Sequence, residues 1–303
     1  FNTASGRSAL YNNTTASCNT AHGACALFAN TTGNHNTAVG LKSMKATTTG
    51  ESNAMIGTFS GYGLTTGCSN SVGGRSALQS TTTGCFNVAV GYSALQYNTT
   101  ASYNTAVGTC SLVANTTGAS VVAVGYKSLA ANTCGNQNVA VGTFSLADNT
   151  TGYNNTALGH QTITDNTTGY YNTAIGSCAL HATTTGNRNA ALGTDALRAL
   201  TTGCRNTSLG DGSGYALTTG IRNTFVGHGT GQSATTASHN TGSGYKALNF
   251  LTSGCFNSGF GYHAAYCTTS ACYNTAMGFA ALRTTTTANN NTAYGACSLY
   301  ANT

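Results

Sequence analysis

The sequence contains very few charged residues, no proline and no tryptophan. Only 5% of its 303 residues are Asp, Glu, Lys or Arg, whereas ordinary soluble domains contain about 25%. Disordered segments are usually rich in charge and proline, but here Val, Ile, Leu and Thr recur at regular intervals, so we expect an ordered chain. No apolar run approaches the ~20 residues of a membrane-spanning helix. The net charge of +6 is scattered, and no basic cluster indicates a nucleic-acid interface.

Groups that could perform catalysis are also scarce. A general acid/base pair needs two titratable side chains next to each other. The five carboxylates lie in different copies of the repeat described below: Glu51, Asp148, Asp165, Asp195 and Asp211. Gly-rich stretches such as 227–231 have neither the Lys nor the following helix of a phosphate-binding loop. We therefore predict that the protein is not an enzyme and has neither catalytic residues nor a cofactor.

The dominant feature is a 17-residue repeat that occurs eighteen times without an insertion or deletion. If Asn2 is position 1, Gly occupies position 5 in every copy from Gly6 to Gly295, and Asn opens every copy except the one that begins at Val121. An unbroken short period predicts stacked coils, and 17 residues are too few for a helical hairpin. We therefore predict an all-β fold, a parallel β-solenoid (β-roll) of eighteen 17-residue coils. The prediction is a single uninterrupted array over residues 1–303, and its uncapped terminal copies suggest a segment of a longer fibre.

Each copy contains one strand-like segment and two turn-like segments. The N-T-A-V-G segment at positions 1–5 alternates and is rich in β-branched residues, which favours a short strand. We expect the large aliphatic residue at position 4, the Leu at position 9 and the alanines to form a thin core. Gly61 and Gly214 replace that Leu, and Leu64 and Leu217 follow three residues later, which indicates compensation of volume. Columns of Asn and Thr are expected to satisfy polar groups between coils.

Twelve cysteines are present, none in a C-x-x-C pair. Cys68 and Cys85 share position 16 in consecutive copies, as do Cys255 and Cys272. In a solenoid the two Cα atoms of each pair lie about 4.8 Å apart, which is within the usual Cα–Cα range for a disulfide. Two interpretations stay open: an inter-coil disulfide at each pair, or a small apolar residue that fills a turn. The cluster at 18, 22 and 25 (Cys, His, Cys) has no fourth ligand, so we predict no metal site.

Six potential N-glycosylation sites share position 12 of the repeat: Asn13, Asn30, Asn98, Asn115, Asn149 and Asn166. If the source organism glycosylates them, one face of the solenoid carries a row of glycans. An Asn- and Thr-rich repeat also generates this pattern without any modification. Tyrosine recurs at position 6, at Tyr92, Tyr126, Tyr245 and Tyr262. These rings suit carbohydrate stacking, lateral packing or an ordinary β-rich surface.

The motif N-T-A-V-G-x-x-A-L-x-x-N-T-T-G, as in residues 104–118, resembles the head repeats of YadA-like trimeric autotransporter adhesins. It also resembles 17-residue repeats in phage tail fibres. The resemblance covers the whole chain. It implies a parallel β-roll, commonly a homotrimer, in an extracellular or virion-surface fibre that binds surfaces.

The main functional prediction is a structural extracellular fibre that self-associates end to end or as a homotrimer, with surface glycans as further partners. The alternative is an ice-binding or glycan-binding solenoid that uses Thr and Asn ladders on one face. We interpret position 12 as an outward column, and its variation among Asn, Thr, Leu and Ala counts against a regular ice-binding face. A polysaccharide-degrading solenoid is disfavoured because it needs clustered carboxylates.

Overall fold

The computed structural model describes residues 1–301 and contains only short strands and turns in that stretch. Two compact units are present, Phe1–Tyr153 and a second that begins at Asn154. Each unit is a parallel β-solenoid with one three-residue strand in every 17-residue coil, which confirms the predicted fold class. The strands of the first unit are β1 Thr3–Ser5, β2 Thr20–His22, β3 Thr37–Val39, β4 Ala54–Ile56, β5 Ser71–Gly73, β6 Val88–Val90, β7 Thr105–Val107, β8 Val122–Val124 and β9 Val139–Val141. Those of the second unit are β10 Thr156–Leu158, β11 Thr173–Ile175, β12 Ala190–Leu192, β13 Thr207–Leu209, β14 Thr224–Val226, β15 Thr241–Ser243, β16 Ser258–Phe260, β17 Thr275–Met277 and β18 Thr292–Tyr294.

Within each unit, consecutive strands pair in parallel and in register. In β2 and β3, for example, Thr20 lies opposite Thr37 and Ala21 opposite Ala38. The same offset of 17 residues recurs between β10 and β11. Each repeat position therefore forms a column that runs from coil to coil, and the environment of one residue predicts that of its counterparts.

The strands turn position 3 into the coil and positions 2 and 4 away from it. In β7, Ala106 is fully buried, whereas Thr105 and Val107 are partly exposed. The expectation that position 4 belongs to the core was wrong, since Leu192 in β12 is 45% exposed. Successive side chains of a strand point to opposite faces, so a three-residue strand with position 3 inside must place position 4 outside.

The interior combines apolar and polar columns. Leu112 at position 9 and Ser111 at position 8 are fully buried, as the Leu column and the small residue beside it predicted. Position 12 is also buried, with Leu64 and Leu217 at 0% exposure. The predicted compensation by Leu64 and Leu217 stays a prediction, because other side chains lie closest to the two glycines: Leu197 and Phe225 at Gly214, and Met55 at Gly61. A Cβ on Gly61 would lie only 2.0 Å from Met55 Sδ, because the Met55 side chain occupies the space that Leu fills in other coils.

Three non-glycine positions in a typical coil have a left-handed backbone. In the seventh coil these are Cys110, Leu112 and Ser120, with φ of 55°, 53° and 58°. Such φ values are disfavoured for residues with a Cβ. Here each amide is held by a neighbouring coil: Cys110 N–H donates to Tyr92 O at 2.9 Å, and Leu112 N–H donates to Ser128 O at 2.9 Å. The stacked neighbours thus stabilise a backbone that an isolated copy would not keep.

The Gly column at position 5 reflects close contact between backbones. Gly108 has a φ of +131°, and a Cβ there would lie 2.5 Å from the carbonyl oxygen of Gly125. Both the backbone conformation and the missing space exclude a side chain. The same pair of constraints recurs along the column as far as Gly278, whereas at Gly295 only the φ of +113° applies, because nothing lies within 4 Å of a Cβ there.

Asn and Thr ladders connect the coils, as predicted. Asn53 N–H donates to Asn36 Oδ1 at 3.1 Å, and its Nδ2 donates to Gly67 O at 2.9 Å. At position 13, the hydroxyl of Thr65 donates to the carbonyl oxygen of Thr82 at 3.0 Å. The Asn column therefore satisfies buried polar groups between coils, whereas the buried hydroxyls of Thr47, Thr183, Thr268 and Thr285 at position 12 have no hydrogen-bond partner.

Candidate functional site

One side of each solenoid presents the outward side chains of strand positions 2 and 4, which we call the strand face. In the second unit, position 4 carries five aliphatic residues in consecutive strands: Leu158, Ile175, Leu192, Leu209 and Val226. Leu158, Leu192 and Leu209 are 46%, 45% and 44% exposed. Because the strands pair in register, these side chains form a continuous apolar row.

A shallow groove runs along this row between β11 and β13. Its volume is about 170 Å³. The residues that line it include Thr173, Ile175, Ala190, Leu192, Thr207 and Leu209. The atoms exposed in the groove are apolar.

The strand face carries no formal charge from Lys, Arg, Asp or Glu. None of these residue types occupies position 2 or 4 in any of the eighteen copies. The first unit continues the pattern with Val90, Val107, Val124 and Val141 at position 4. Contiguous exposed apolar surface is typical of an interaction site, whereas the chain's scattered cations and carboxylates all lie at other positions.

A second regular surface lies at the turn, at position 14. All seventeen residues of this column are exposed, from Thr15 to Thr287, and fourteen of them are Thr. The hydroxyls of the column make no hydrogen bond to protein within residues 1–301. This turn column therefore offers a row of hydroxyl and methyl groups to solvent, in contrast to position 13, whose hydroxyls bond the next coil.

Position 12 is not the outward column that the sequence interpretation assumed. Asn115 and Thr183 at this position are fully buried. The irregularity of position 12 is therefore hidden inside the coil, and it does not count against a regular outer face. The error arose because Thr and Asn are polar, although in this fold they fill the interior beside Leu.

Burial also determines the surroundings of the six predicted glycosylation sites. Five of the six Asn side chains are buried, and Asn13 is half-buried. Asn115 Nδ2 donates to Asn98 Oδ1 and to Gly118 O, both at 2.9 Å. Asn149 Nδ2 likewise donates to Asn132 Oδ1 and Gly152 O at 2.8 and 3.0 Å. A nitrogen held in this way is not accessible to a glycosyl donor in the folded chain, so glycosylation stays a prediction that this geometry disfavours.

The tyrosines at position 6 belong partly to aromatic stacks. In the second unit, Tyr245 and Tyr262 lie 5.2 Å apart with rings 12° from parallel, and Tyr262 and Phe279 lie 5.3 Å apart at 9°. His228 stacks on Tyr245 at 5.3 Å. Both faces of Tyr245 and Tyr262 are thus covered by neighbours in the column. A sugar that stacks needs an open ring face, so this arrangement favours a structural role for these rings.

A small aromatic cleft lies beside the end of that stack. It has a volume of about 290 Å³ and is lined by Tyr262, His263, Phe279, Ala280, Arg283 and Tyr300. The Arg283 guanidinium lies 5.7 Å from the Tyr266 ring centroid and also contacts the Tyr300 hydroxyl. Burial lowers the pKa of His263, and the charges of Arg283 and Lys246 lower it further. The surroundings of His263 in the cleft therefore favour its neutral form, with the Arg283 guanidinium nearby.

Three of the five carboxylates lie beside a basic side chain. Asp165 contacts His181 at 3.7 Å, Asp211 contacts His228 at 3.3 Å, and Asp195 contacts Arg198 at 3.6 Å. These carboxylates pair with basic side chains. Within residues 1–301, no group of three or more His, Cys, Asp or Glu is placed to hold a metal ion. Cys18, His22 and Cys25 occupy positions 17, 4 and 7 of the repeat.

The two cysteine pairs are brought together. Cys68 Sγ lies 2.8 Å from Cys85 Sγ, and Cys255 Sγ lies 2.8 Å from Cys272 Sγ. Each pair lies within one unit. At several copies, these two pairs included, the side chain at position 16 accepts a hydrogen bond from the backbone of the preceding coil, which places the second sulfur beside the first.

Comparisons with protein-family models, curated proteins and solved structures found no match. Among residues 1–301 there is also no helix of the length and apolar character that a membrane span requires.

Proposed function

We propose that the chain is a structural, non-catalytic fibre protein whose copies associate side by side through their strand faces. The observation that carries this proposal is the strand face, which has no Lys, Arg, Asp or Glu in any coil and a Val, Ile or Leu at position 4 in eleven of the eighteen coils. In this proposal residues 1–303 act as one uninterrupted array within a longer extracellular or virion-surface fibre. The resemblance to YadA-like repeats supports the same setting and suggests a homotrimer.

The strand face suits a second copy of the same chain. Its apolar rows have the spacing of the coils, and another copy presents rows of the same spacing. The absence of Lys, Arg, Asp and Glu from positions 2 and 4 means that two such faces meet without burying an unpaired side-chain charge, which would be costly. A partner whose apolar residues do not recur with the spacing of the coils would contact the apolar residues of fewer coils.

The extent of the face suits association of long arrays. Standard strand dimensions give nine three-residue strands a face of roughly 10 by 43 Å, or about 400 Å². A stable interface takes about 800 Å² from each partner. The faces of both units are therefore needed, and longer arrays should associate more tightly than short ones.

The test is a comparison of sedimentation velocities for the full chain and two matched variants. Leu192→Glu/Leu209→Glu places charges on the strand face, and Thr202→Glu/Thr219→Glu places the same charges on the turn column of the same two coils. We expect the wild type and the turn variant to sediment as assemblies and the strand-face variant to sediment as single chains. Circular dichroism spectra that match among the three confirm the fold. Equal assembly of all three proteins would refute the proposal.

The turn column supports ice binding as a second candidate function. Its exposed Thr residues recur at each coil, and their hydroxyls make no hydrogen bond to the described part of the protein. Thermal hysteresis of the wild type would be expected to disappear in Thr185→Lys/Thr202→Lys/Thr219→Lys and to persist in the strand-face variant. Absence of hysteresis in the wild type would remove this candidate.

A further inference from the structure

Two pairs of thiols stand out among the twelve cysteines. Sulfur–sulfur contacts of 2.8 Å join Cys68 to Cys85 in the first unit and Cys255 to Cys272 in the second. All four side chains are partly exposed. A soluble oxidant of small size can therefore reach them without unfolding of the coil.

The contact is a consequence of what position 16 does in this fold. Cys85 Sγ accepts the Cys68 N–H at 3.0 Å, and Cys272 Sγ accepts the Cys255 N–H at 3.1 Å. Elsewhere the acceptor is an oxygen: Ser238 Oγ accepts the Ile221 N–H at 3.1 Å. In each of these bonds the acceptor side chain points toward the preceding coil. When two successive coils both have Cys, that direction brings the second sulfur onto the first.

We propose that each pair forms an inter-coil disulfide by exchange with a low-molecular-weight disulfide such as oxidised glutathione. One cysteine thiolate attacks a sulfur of the oxidant, which forms a mixed disulfide and releases one thiol. The thiolate of the paired cysteine then attacks the protein sulfur of the mixed disulfide, which forms the Cys–Cys bond and releases the second thiol. The protein loses two electrons and two protons, and the oxidant gains both.

Each bond adds a covalent cross-link between two successive coils, which are otherwise connected by the continuous backbone and by non-covalent contacts. Each closes a 17-residue loop, which is one complete coil. Separation of coils must precede local unfolding of a stacked repeat, so a bond between adjacent coils blocks that step at one place in each unit. The inference depends on the fold alone and is independent of the proposed association through the strand face.

The test begins with incubation of the full chain with oxidised glutathione. The remaining thiols are then alkylated, first under native-like and then under denaturing conditions, and the products are analysed by mass spectrometry. Trypsin cleaves at Arg75 between the first pair, and chymotrypsin cleaves at Tyr262 between the second, so linked peptides identify each bond. We expect eight of the twelve cysteines to be alkylated and the linkages Cys68–Cys85 and Cys255–Cys272 to be found.

The matched control is Cys85→Ser/Cys272→Ser. Serine keeps the hydrogen-bond acceptor at position 16, as Ser238 shows, so this variant retains the coil but has no second sulfur. We expect Cys68 and Cys255 of the control to be recovered alkylated or linked to glutathione. Alkylation of all four thiols in the wild type, stable glutathione adducts at these sites, or linkage to other cysteines would each overturn the proposal.

Discussion

The ring of Phe225 occupies the space that a side chain on Gly231 would need. A Cβ on Gly231 would lie 2.6 Å from Phe225 Cε1 and Cζ. Phe225 is at position 3 of the repeat, where most copies have Ala, and Gly231 is at position 9, where most have Leu. The two positions face each other within one coil, so a large residue at one requires a small residue at the other.

Exchange of this pair for the consensus pair should show strong coupling. Phe225→Ala removes a fully buried ring and should cost about 3–5 kcal/mol of stability. Gly231→Leu alone inserts a side chain into the occupied space and should also destabilise. The double variant has Ala at position 3 and Leu at position 9, the same combination as Ala106 and Leu112 in the seventh coil. We therefore expect it to be more stable than either single variant. Urea unfolding midpoints measure this, and additive effects of the two substitutions would contradict it.

Removal of one Asn side chain from the ladder should destabilise the fold, because the next coil loses the acceptor of its hydrogen bonds. Asn70 Oδ1 accepts the Asn87 N–H at 3.0 Å and Asn87 Nδ2 at 3.1 Å. Asn70→Ala leaves these buried donors without that acceptor, which should cost about 1–3 kcal/mol. Thr83→Ala in the same coil is the control, because Thr83 is exposed in the turn column. Thermal unfolding followed by circular dichroism should show a clear decrease for Asn70→Ala and almost none for Thr83→Ala.

Stability of the reduced protein should depend on pH through the paired cysteines. The hydrogen bond from the Cys68 thiol to Cys85, together with burial, raises the pKa of Cys68 from 9.0 to about 11. Hydrogen bonding to Cys272 likewise raises the pKa of Cys255 to about 11. A raised pKa means that the folded state holds the proton more tightly than the unfolded state. This contribution is therefore complete below pH 9 and is lost as the pH rises from about 9 through about 11.

The measurement compares the wild type with Cys68→Ser/Cys255→Ser in a phosphine reductant between pH 8 and pH 11. Other groups titrate in this range in both proteins. The difference between the unfolding midpoints of the two proteins therefore reports the contribution of Cys68 and Cys255 to stability. We expect that difference to change in the direction that destabilises the wild type as the pH rises. A constant difference across the range would contradict the prediction.

The buried amides at position 12 should resist glycosylation. When the chain is expressed in a glycosylating host, we expect Asn98, Asn115 and Asn149 to be recovered without glycan. Peptide mass spectrometry after treatment with an N-glycosidase in heavy-oxygen water identifies each modified Asn as labelled Asp. Labelling at these residues would mean that modification precedes formation of the coil.

The sequence was sufficient to predict the solenoid, the strand and the ladders, because each depends on the 17-residue period itself. It was misleading about which columns face inward. Val107 is more apolar than Ala106, so hydrophobicity alone assigned position 4 to the core, but a coil that already contains Leu112 has room only for Ala opposite it. Gly231 in the Leu column was a usable signal, since Phe225 six residues earlier carries the missing volume.

The left-handed backbone at positions 7 and 9 was also missed. Leu112 and Cys110 are not residues that favour a positive φ, and only the occasional Gly at these positions, such as Gly212 and Gly214, indicated it. The conformation is imposed by hydrogen bonds from adjacent coils, which no single copy of the repeat reveals. The close approach of the cysteine sulfurs has the same origin, since the acceptor role of position 16 becomes visible only between coils.

The central claim is that copies of the chain meet through the strand face, and cryo-electron microscopy of the assembled protein tests it most directly. We expect Leu192 and Leu209 of one copy to pack against the strand face of another, with the turn column exposed to solvent. Assemblies in which the strand face is exposed and copies meet through the turn column or only end to end would contradict the account.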